Sequence, residues 1–219
     1  MSGAERRGDG ETLSERARMP PHLVLPDLLP DGLAADLLAF TLAHEAAFVP
    51  ARVGAGRQKR VDMARRVAGV SAELGPFAAP LRALLTARLP EFVAGLRVAP
   101  VHEPDIELQL AAHGDGAFFS RHIDTRTSAE ERRWIRVISA VYYFHRQPRR
   151  FSGGAFRLFA FGRDPSDAFI DIAPAHNTLL VFPSWAQHAV QPVSCPSRDF
   201  ADSRFAINCW YRVPSPDAR

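Results

Sequence analysis

The sequence predicts a mainly β protein with flanking helices: a double-stranded β-helix, or jelly roll, behind an N-terminal helical support layer. Three observations predict it. After residue 100 short apolar runs recur, each closed by turn residues. The 18 prolines and 14 glycines often bound those runs. Before residue 100 the apolar residues fall at helical spacing instead. About eight antiparallel strands folded as a double sheet make a jelly roll.

The elements follow in order. Residues 1–21 are polar, charged and without periodicity, and are expected to form a disordered tail. One domain is expected over 22–219, with helical support and loops over 22–100 and the jelly-roll core over 101–213. Asp31 is an N-cap candidate, and Leu33, Leu37, Leu38 and Leu42 after it predict a helix. Residues 49–72 carry Gly54, Gly56 and many arginines and read as loop or hairpin. A second helical region spans 73–98, with Pro90 expected to open or kink a turn. Strands are predicted near 105–111, 117–124, 134–145, 154–161, 168–173, 177–182, 187–193 and 204–213. No internal repeat is present.

Composition narrows the function classes. Of 219 residues, 47% are hydrophobic, enough for a sizeable core. The net charge is only +3, and the densest basic stretch, RQKRVDMARR at 57–66, contains Asp62, so no nucleic-acid partner is expected. Lys59 is the only lysine, which counts against a Schiff-base mechanism. Cys195 and Cys209 make no disulfide framework; Cys209 reads as a small core residue, and Cys195 has no evident role. The N-terminus lacks an apolar signal region and no run approaches membrane-spanning length, so a cytoplasmic location without a membrane partner is expected.

In FFSRHID, His122 and Asp124 stand two apart and share a strand face. That spacing suits a surface salt bridge or part of a metal site. A non-haem Fe(II) centre needs two imidazoles and one carboxylate on one side of the metal. Of the remaining histidines, His188 stands out in VFPSWAQHAVQPV, at the opening of a strand after a turn. His176 reads as a turn residue and His145 as a strand end; His113, in the turn AAHGDG, is placed to line a pocket mouth. His22, His44 and His102 read as surface or support-layer residues. On the last strand Arg204, Ala206, Asn208 and Trp210 share one face. A buried Arg204 would need an anionic partner; the plain alternative is an edge arginine snorkelling to water.

His122-x-Asp124, then His188, then Arg204 resembles the Fe(II)/2-oxoglutarate dioxygenases. FFSRHID, AVYYFHRQPRRFSGGAFRLF, LLVFPSWAQHAVQPV and RFAINCWY, in that order, resemble the prolyl 4-hydroxylase branch. There a Tyr-Tyr strand end precedes a Gly-Gly pair, the distal histidine begins H-x-V-x-P-V, and a basic residue opens the final strand. The likeness covers about residues 105–212.

The resemblance implies that His122, Asp124 and His188 ligate Fe(II). It implies that Arg204 binds the distal carboxylate of 2-oxoglutarate, that Tyr143 adds a hydroxyl to that carboxylate, and that Asn208 lines the same pocket. Dioxygen would be the second co-substrate, with ascorbate in support. The implied reaction is hydroxylation of an unactivated C–H bond, of a prolyl residue in a peptide or protein, or of a free amino acid or biosynthetic small molecule. Related halogenases lack the carboxylate that Asp124 supplies, which favours hydroxylation. Gly153 and Gly154 read as a tight turn or bulge.

The chain also departs from the branch. The gap from His188 to Arg204 is longer than usual, SCPSRDFADS reads as an inserted loop, and Arg198 within it competes as anchor. Ala111 and Ala112 stand where relatives often have a pocket tyrosine, a role open to His113. Arg121, the loop 125–133 and the stretch 57–66 are candidate substrate-facing lids or solvated surface. Two rival readings remain. One is an AlkB-type nucleic-acid demethylase, which would carry a second arginine where Trp210 stands. The other is a non-catalytic jelly-roll binding module.

Overall fold

The computed structural model of the chain describes residues 19–54, 59–125, 133–161 and 168–215. The N-terminal part contributes β1 (Leu23–Leu25), α1 (Asp31–Ala43), β2 (Val49–Pro50), β3 (Arg66–Val67), β4 (Gly69–Ser71) and α2 (Ala78–Leu96). The strand-rich part begins with β5 (Asp105–His113), β6 (Phe118–His122), β7 (Trp134–Phe144), β8 (Ser152–Gly153) and β9 (Phe156–Phe159). It continues with β10 (Phe169–Ile172), β11 (Thr178–Pro183), β12 (His188–Val190), β13 (Val193–Ser194) and β14 (Arg204–Pro214).

Two antiparallel sheets result. The larger runs β1-β11-β7-β14-β5-β4-β2 and the smaller β10-β9-β12-β6-β3, with β8 and β13 forming a separate pair. This is the expected jelly roll. The long strands sit at the centre of the larger sheet, where β14 pairs with β5 on one side and β7 on the other.

Side-chain alternation along β14 divides the molecule into two cores. Phe205, Ile207, Cys209 and Tyr211 point to the helices and join Ile138, Ala140, Tyr142 and Phe144 of β7 in the main cluster. Ala206 points the other way, into the space between the sheets, with Val141, Tyr143, Phe156, Leu158 and Phe182. The helices close the outer face. Leu81, Leu85, Leu89, Phe92 and Leu96 form a buried stripe along α2, each contributing roughly 1.5–3 kcal/mol. Tyr211 donates its hydroxyl to the Leu85 carbonyl at 2.9 Å, which pins β14 to that helix. No helix among the described residues is long and apolar enough to cross a membrane.

Several expectations change. Pro90 lies inside α2 and does not end it; the buried stripe continues on both sides of it and outweighs the lost hydrogen bond. The segment read as support and loops also supplies β1–β4, and both sheets gain edge strands from it. Of the expected tail, residues 1–18 lie outside the described residues, while Met19 packs against the cluster between the sheets.

Candidate metal and co-substrate site

β6 and β12 are neighbours in the smaller sheet, and their register sets His122 directly opposite His188. The ring centroids are 4.2 Å apart. Asp124 follows the end of β6, where its backbone N–H donates to the Ser184 carbonyl at 2.9 Å. One ligand atom from each of His122, Asp124 and His188 falls within 4.8 Å of the others.

The orientation of each ring is fixed from behind. His122 Nδ1 donates to the Ser120 carbonyl at 2.8 Å, and His188 Nδ1 to the Ala186 carbonyl at 2.9 Å. A carbonyl only accepts, so both protons sit on Nδ1 and both Nε2 lone pairs face the cluster. Those Nε2 atoms lie 3.7 and 3.8 Å from the Asp124 carboxylate, too far for hydrogen bonds. Phe119 stacks on His122 at 3.5 Å, and Phe156 on His188 at 4.9 Å.

The electrostatics match a cation site. Burial, and then His188, push the His122 imidazole down to about 3, which keeps it neutral. Burial alone would raise the Asp124 carboxyl, but His188, His122, Arg136 and the Ser139 hydroxyl together hold it below its usual value. Two imidazoles turning Nε2 inward and one carboxylate are the donor set that a non-haem Fe(II) centre uses.

Arg204 opens β14 beside this cluster and is 1% exposed. Among the described residues it has no carboxylate partner. Its NH1 donates to His113 Nδ1 at 3.2 Å, and its Nε has no hydrogen-bond partner. Burial and the Arg204 charge keep His113 well below its ordinary value, so it is a neutral acceptor. The Arg204 guanidinium lies over the Tyr143 ring at 4.8 Å, and the Tyr143 hydroxyl is also buried without a partner. A buried cation next to an orphaned hydroxyl is costly unless an anion completes it. An organic carboxylate reaching this corner would supply the missing acceptor.

Gly153 and Gly154 hold the left-handed region at φ +68° and +66°. A Cβ on Gly154 would come within 2.7 Å of Arg204 Cδ, so this turn lets the backbone lie against the anchor. Asn208 and Trp210 line the same cavity as the three ligand residues and Arg204. Arg198, the competing anchor, is instead at the surface, 3.5 Å from Asp115. His113 is deep in the pocket and not at its mouth. Arg121 bonds Gln187 at 2.6 Å and covers Phe159, outside the cavity. Of the loop 125–133, residues 126–132 lie outside the described residues, as do 55–58.

Three positions at the site had no signal in the sequence. Ser139 and Ser184 are single hydroxyls within apolar strands and a turn. Arg66 belongs to the basic stretch 57–66, yet nothing in that stretch distinguishes it from its neighbours. In the structure it lines the same cavity as the metal ligands.

Residues 108–212 match the 2OG-Fe(II) oxygenase superfamily. A PKHD-type hydroxylase of Synechocystis sp., itself described as uncharacterized, is 37% identical over 149 residues, 65% of this chain and 48% of that protein. The chain thus spans about half the length of that curated relative. The crystal structure of a Pseudomonas putida prolyl-4-hydroxylase superposes with a TM-score of 0.60 at 24% identity, over 88% of this chain and 92% of that one. A Trichoplax adhaerens prolyl hydroxylase, solved with a peptide fragment of the hypoxia inducible factor oxygen degradation domain, gives a TM-score of 0.64 at 17% identity, over 88% and 83%. At such identities the two structures establish a shared fold. The matched segment contains His122, Asp124, His188 and Arg204, and across it the chain is similar to the 2OG-Fe(II) oxygenase superfamily.

Proposed function

We propose that this chain is an Fe(II)- and 2-oxoglutarate-dependent dioxygenase that hydroxylates an unactivated C–H bond of a prolyl residue in a peptide or protein. The observation that carries the reading is the buried Arg204, unpaired with any carboxylate among the described residues and set beside a His-Asp-His cluster. His122 and His188 turn Nε2 toward the metal position, and Asp124 supplies the one negative charge there. Arg204 and the Tyr143 hydroxyl hold the far carboxylate of the co-substrate, with bidentate geometry available from the guanidinium. Iron and 2-oxoglutarate, when bound, would supply the oxidising power: the co-substrate would lose carbon dioxide and take one atom of dioxygen to give succinate, and the other atom would pass to the substrate. The protein's own part is position, charge and exclusion of water, with Phe119 and Phe156 packed against the two imidazoles.

The prolyl substrate is supported by the relative's description as a PKHD-type hydroxylase and by the two prolyl hydroxylase folds. A free amino acid or biosynthetic small molecule is the second reading, and the position of Arg66 favours it. The demethylase reading loses support because Trp210 occupies the place of its second arginine, with the Arg136 guanidinium 3.7 Å over its ring. The test is succinate release, with mass spectrometry for a gain of one oxygen atom, from peptides and amino acids offered with Fe(II) and 2-oxoglutarate. Wild type yields both products and His122→Ala neither. Absence of succinate with every substrate, together with no binding of the co-substrate analogue N-oxalylglycine, sinks the proposal.

A further inference from the structure

We propose that Arg66 is a second anion-binding residue of the site, and that it receives a carboxylate carried by the substrate close to the attacked carbon. This rests on the co-substrate reading above and names the substrate chemistry that goes with it.

Arg66 is held relative to the metal ligands. It lies in β3 at the edge of the smaller sheet, in register opposite Phe119 of β6. Its guanidinium sits over the Phe119 ring at 4.7 Å, and Phe119 in turn stacks on His122. The side chain makes no ion pair and donates no hydrogen bond among the described residues, and its Nε is buried without a partner. Burial lowers it to about 10, against the opposing pull of Asp124. So this is a half-buried cation whose Nε is sealed from water and whose direct contact is an aromatic face. That face leaves the planar edge of the fork, where a carboxylate docks, uncommitted.

Asp124 is not the missing partner once the site is loaded, because its charge then goes to the metal. The charge count decides the rest. Two positive charges from iron and one each from Arg204 and Arg66 face one negative charge from Asp124 and two from 2-oxoglutarate. Arg136 is matched by Glu107 at 2.8 Å and leaves the balance unchanged. One positive charge is left over, and Arg66 is the residue that carries it. An anionic substrate neutralises the loaded site; a neutral one leaves a half-buried charge uncompensated.

The surroundings say what kind of anion. Arg66 also lines the neighbouring groove of about 400 Å³, whose wall includes Phe48, Val61, Met63, Val67 and Ala117, with Asp115 there 3.5 Å from the Arg198 guanidinium. It therefore stands where an apolar surface groove meets the metal cavity. A single guanidinium beside an apolar wall fits an organic carboxylate. A phosphate would call for more donors than this corner holds.

The test uses full-length protein loaded with Mn(II) and saturated with N-oxalylglycine, so that the co-substrate position is filled. Acetate and its neutral isostere acetamide are then titrated, and Mn(II)-induced relaxation of their methyl protons is read by NMR. Wild type prefers acetate; Arg66→Gln loses that preference by roughly tenfold or more, and Arg66→Lys keeps part of it. Acetate preference that survives in R66Q means direct coordination to the metal and overturns the proposal. So does an equal response to acetate and acetamide in wild type. If R66Q binds N-oxalylglycine poorly while R66K binds it well, Arg66 serves the co-substrate, and the proposal falls. If wild type fails to bind N-oxalylglycine at all, the co-substrate reading fails and takes this one with it. Repeating the comparison with L-proline against L-prolinamide, and with blocked Gly-Pro-Asp against Gly-Pro-Asn, tells whether a free amino acid or an acidic peptide carries the carboxylate.

Discussion

Ser139 Oγ donates to Asp124 Oδ2 at 2.7 Å and stands 2.8 Å from Ser184 Oγ. The one Ser139 proton goes to the carboxylate, so Ser184 must be the donor to Ser139. Two hydroxyls in line, from β7 and from the turn after β11, thus aim one carboxylate. The second Asp124 oxygen stays turned toward His122.

Ser139→Ala removes that aim and little else, since Ser139 is a small residue in the centre of the larger sheet. Mn(II) affinity is expected to fall by about 10- to 100-fold, with the thermal unfolding midpoint close to wild type. Calorimetric metal titration measures it. An unchanged affinity would show that the Ser184 carbonyl alone positions Asp124.

Arg204→Met gives effects of opposite sign in two states of the protein. Without ligand, the change replaces a buried, incompletely paired cation by an apolar side chain of similar length. It should raise stability by about 1–4 kcal/mol. N-oxalylglycine should raise the unfolding temperature of wild type and leave that of R204M where it is. A variant that is less stable without ligand would mean that the contacts to His113 and Tyr143 already satisfy the guanidinium.

The Gly-Gly turn separates backbone strain from anchor geometry. Gly153→Ala and Gly154→Ala both place a side chain at positive φ, which costs about 1–2 kcal/mol. The new Cβ at 153 would lie 2.3 Å from the Pro192 carbonyl oxygen, a rigid backbone atom, whereas at 154 it meets the movable Arg204 side chain. G153A is therefore expected to lose more stability in urea. G154A is expected to lose more N-oxalylglycine affinity, by roughly tenfold if the anchor forfeits one charged hydrogen bond.

Asn177 offers a control far from the metal ligands. Its side chain accepts from Leu29 N at 3.0 Å and from the Tyr142 hydroxyl at 2.9 Å, and donates to the Leu29 carbonyl at 2.8 Å. It also holds φ +55°, which asparagine tolerates and alanine does not. Asn177→Ala should cost at least about 3 kcal/mol by leaving three buried groups unpaired, against about 1 kcal/mol for Tyr142→Phe. Urea unfolding measures both, and Mn(II) affinity of the folded fraction should not change in either.

Long alternating strands were readable from residue order. The runs predicted at 134–145 and 204–213 appear as Trp134–Phe144 and Arg204–Pro214, because each buries both of its faces over many residues. The hairpin alternative for 49–72 is met by the antiparallel pair β2 and β4, but the individual short strands β1 to β4 were not readable, since two or three residues carry no period to detect. Pro90 misled for a related reason: a local rule was applied where a five-residue buried stripe decides. In the site, His122, Asp124, His188 and Arg204 are brought into one cavity, as the ordered motifs led us to expect. Ser139, Ser184 and Arg66 act by juxtaposition across strands distant in sequence, and juxtaposition has no local signature. Arg198 and Arg204 differ in burial, which residue order alone does not give: Arg204 is buried at the cavity and Arg198 stands at the surface.

The two-faced character of β14 has a consequence for how this chain tolerates length changes. One residue inserted or deleted between Arg204 and Trp210 would invert the downstream faces, turning aromatic core residues toward the pocket and Asn208 and Trp210 toward the helices. The segment 195–203 just before it bears no such parity. Lengthening there only adds loop, at a few tenths of a kcal/mol. Indels should therefore accumulate up to Ser203 and stop sharply at Arg204, so that the boundary of the anchor strand is visible as a step in a deletion scan.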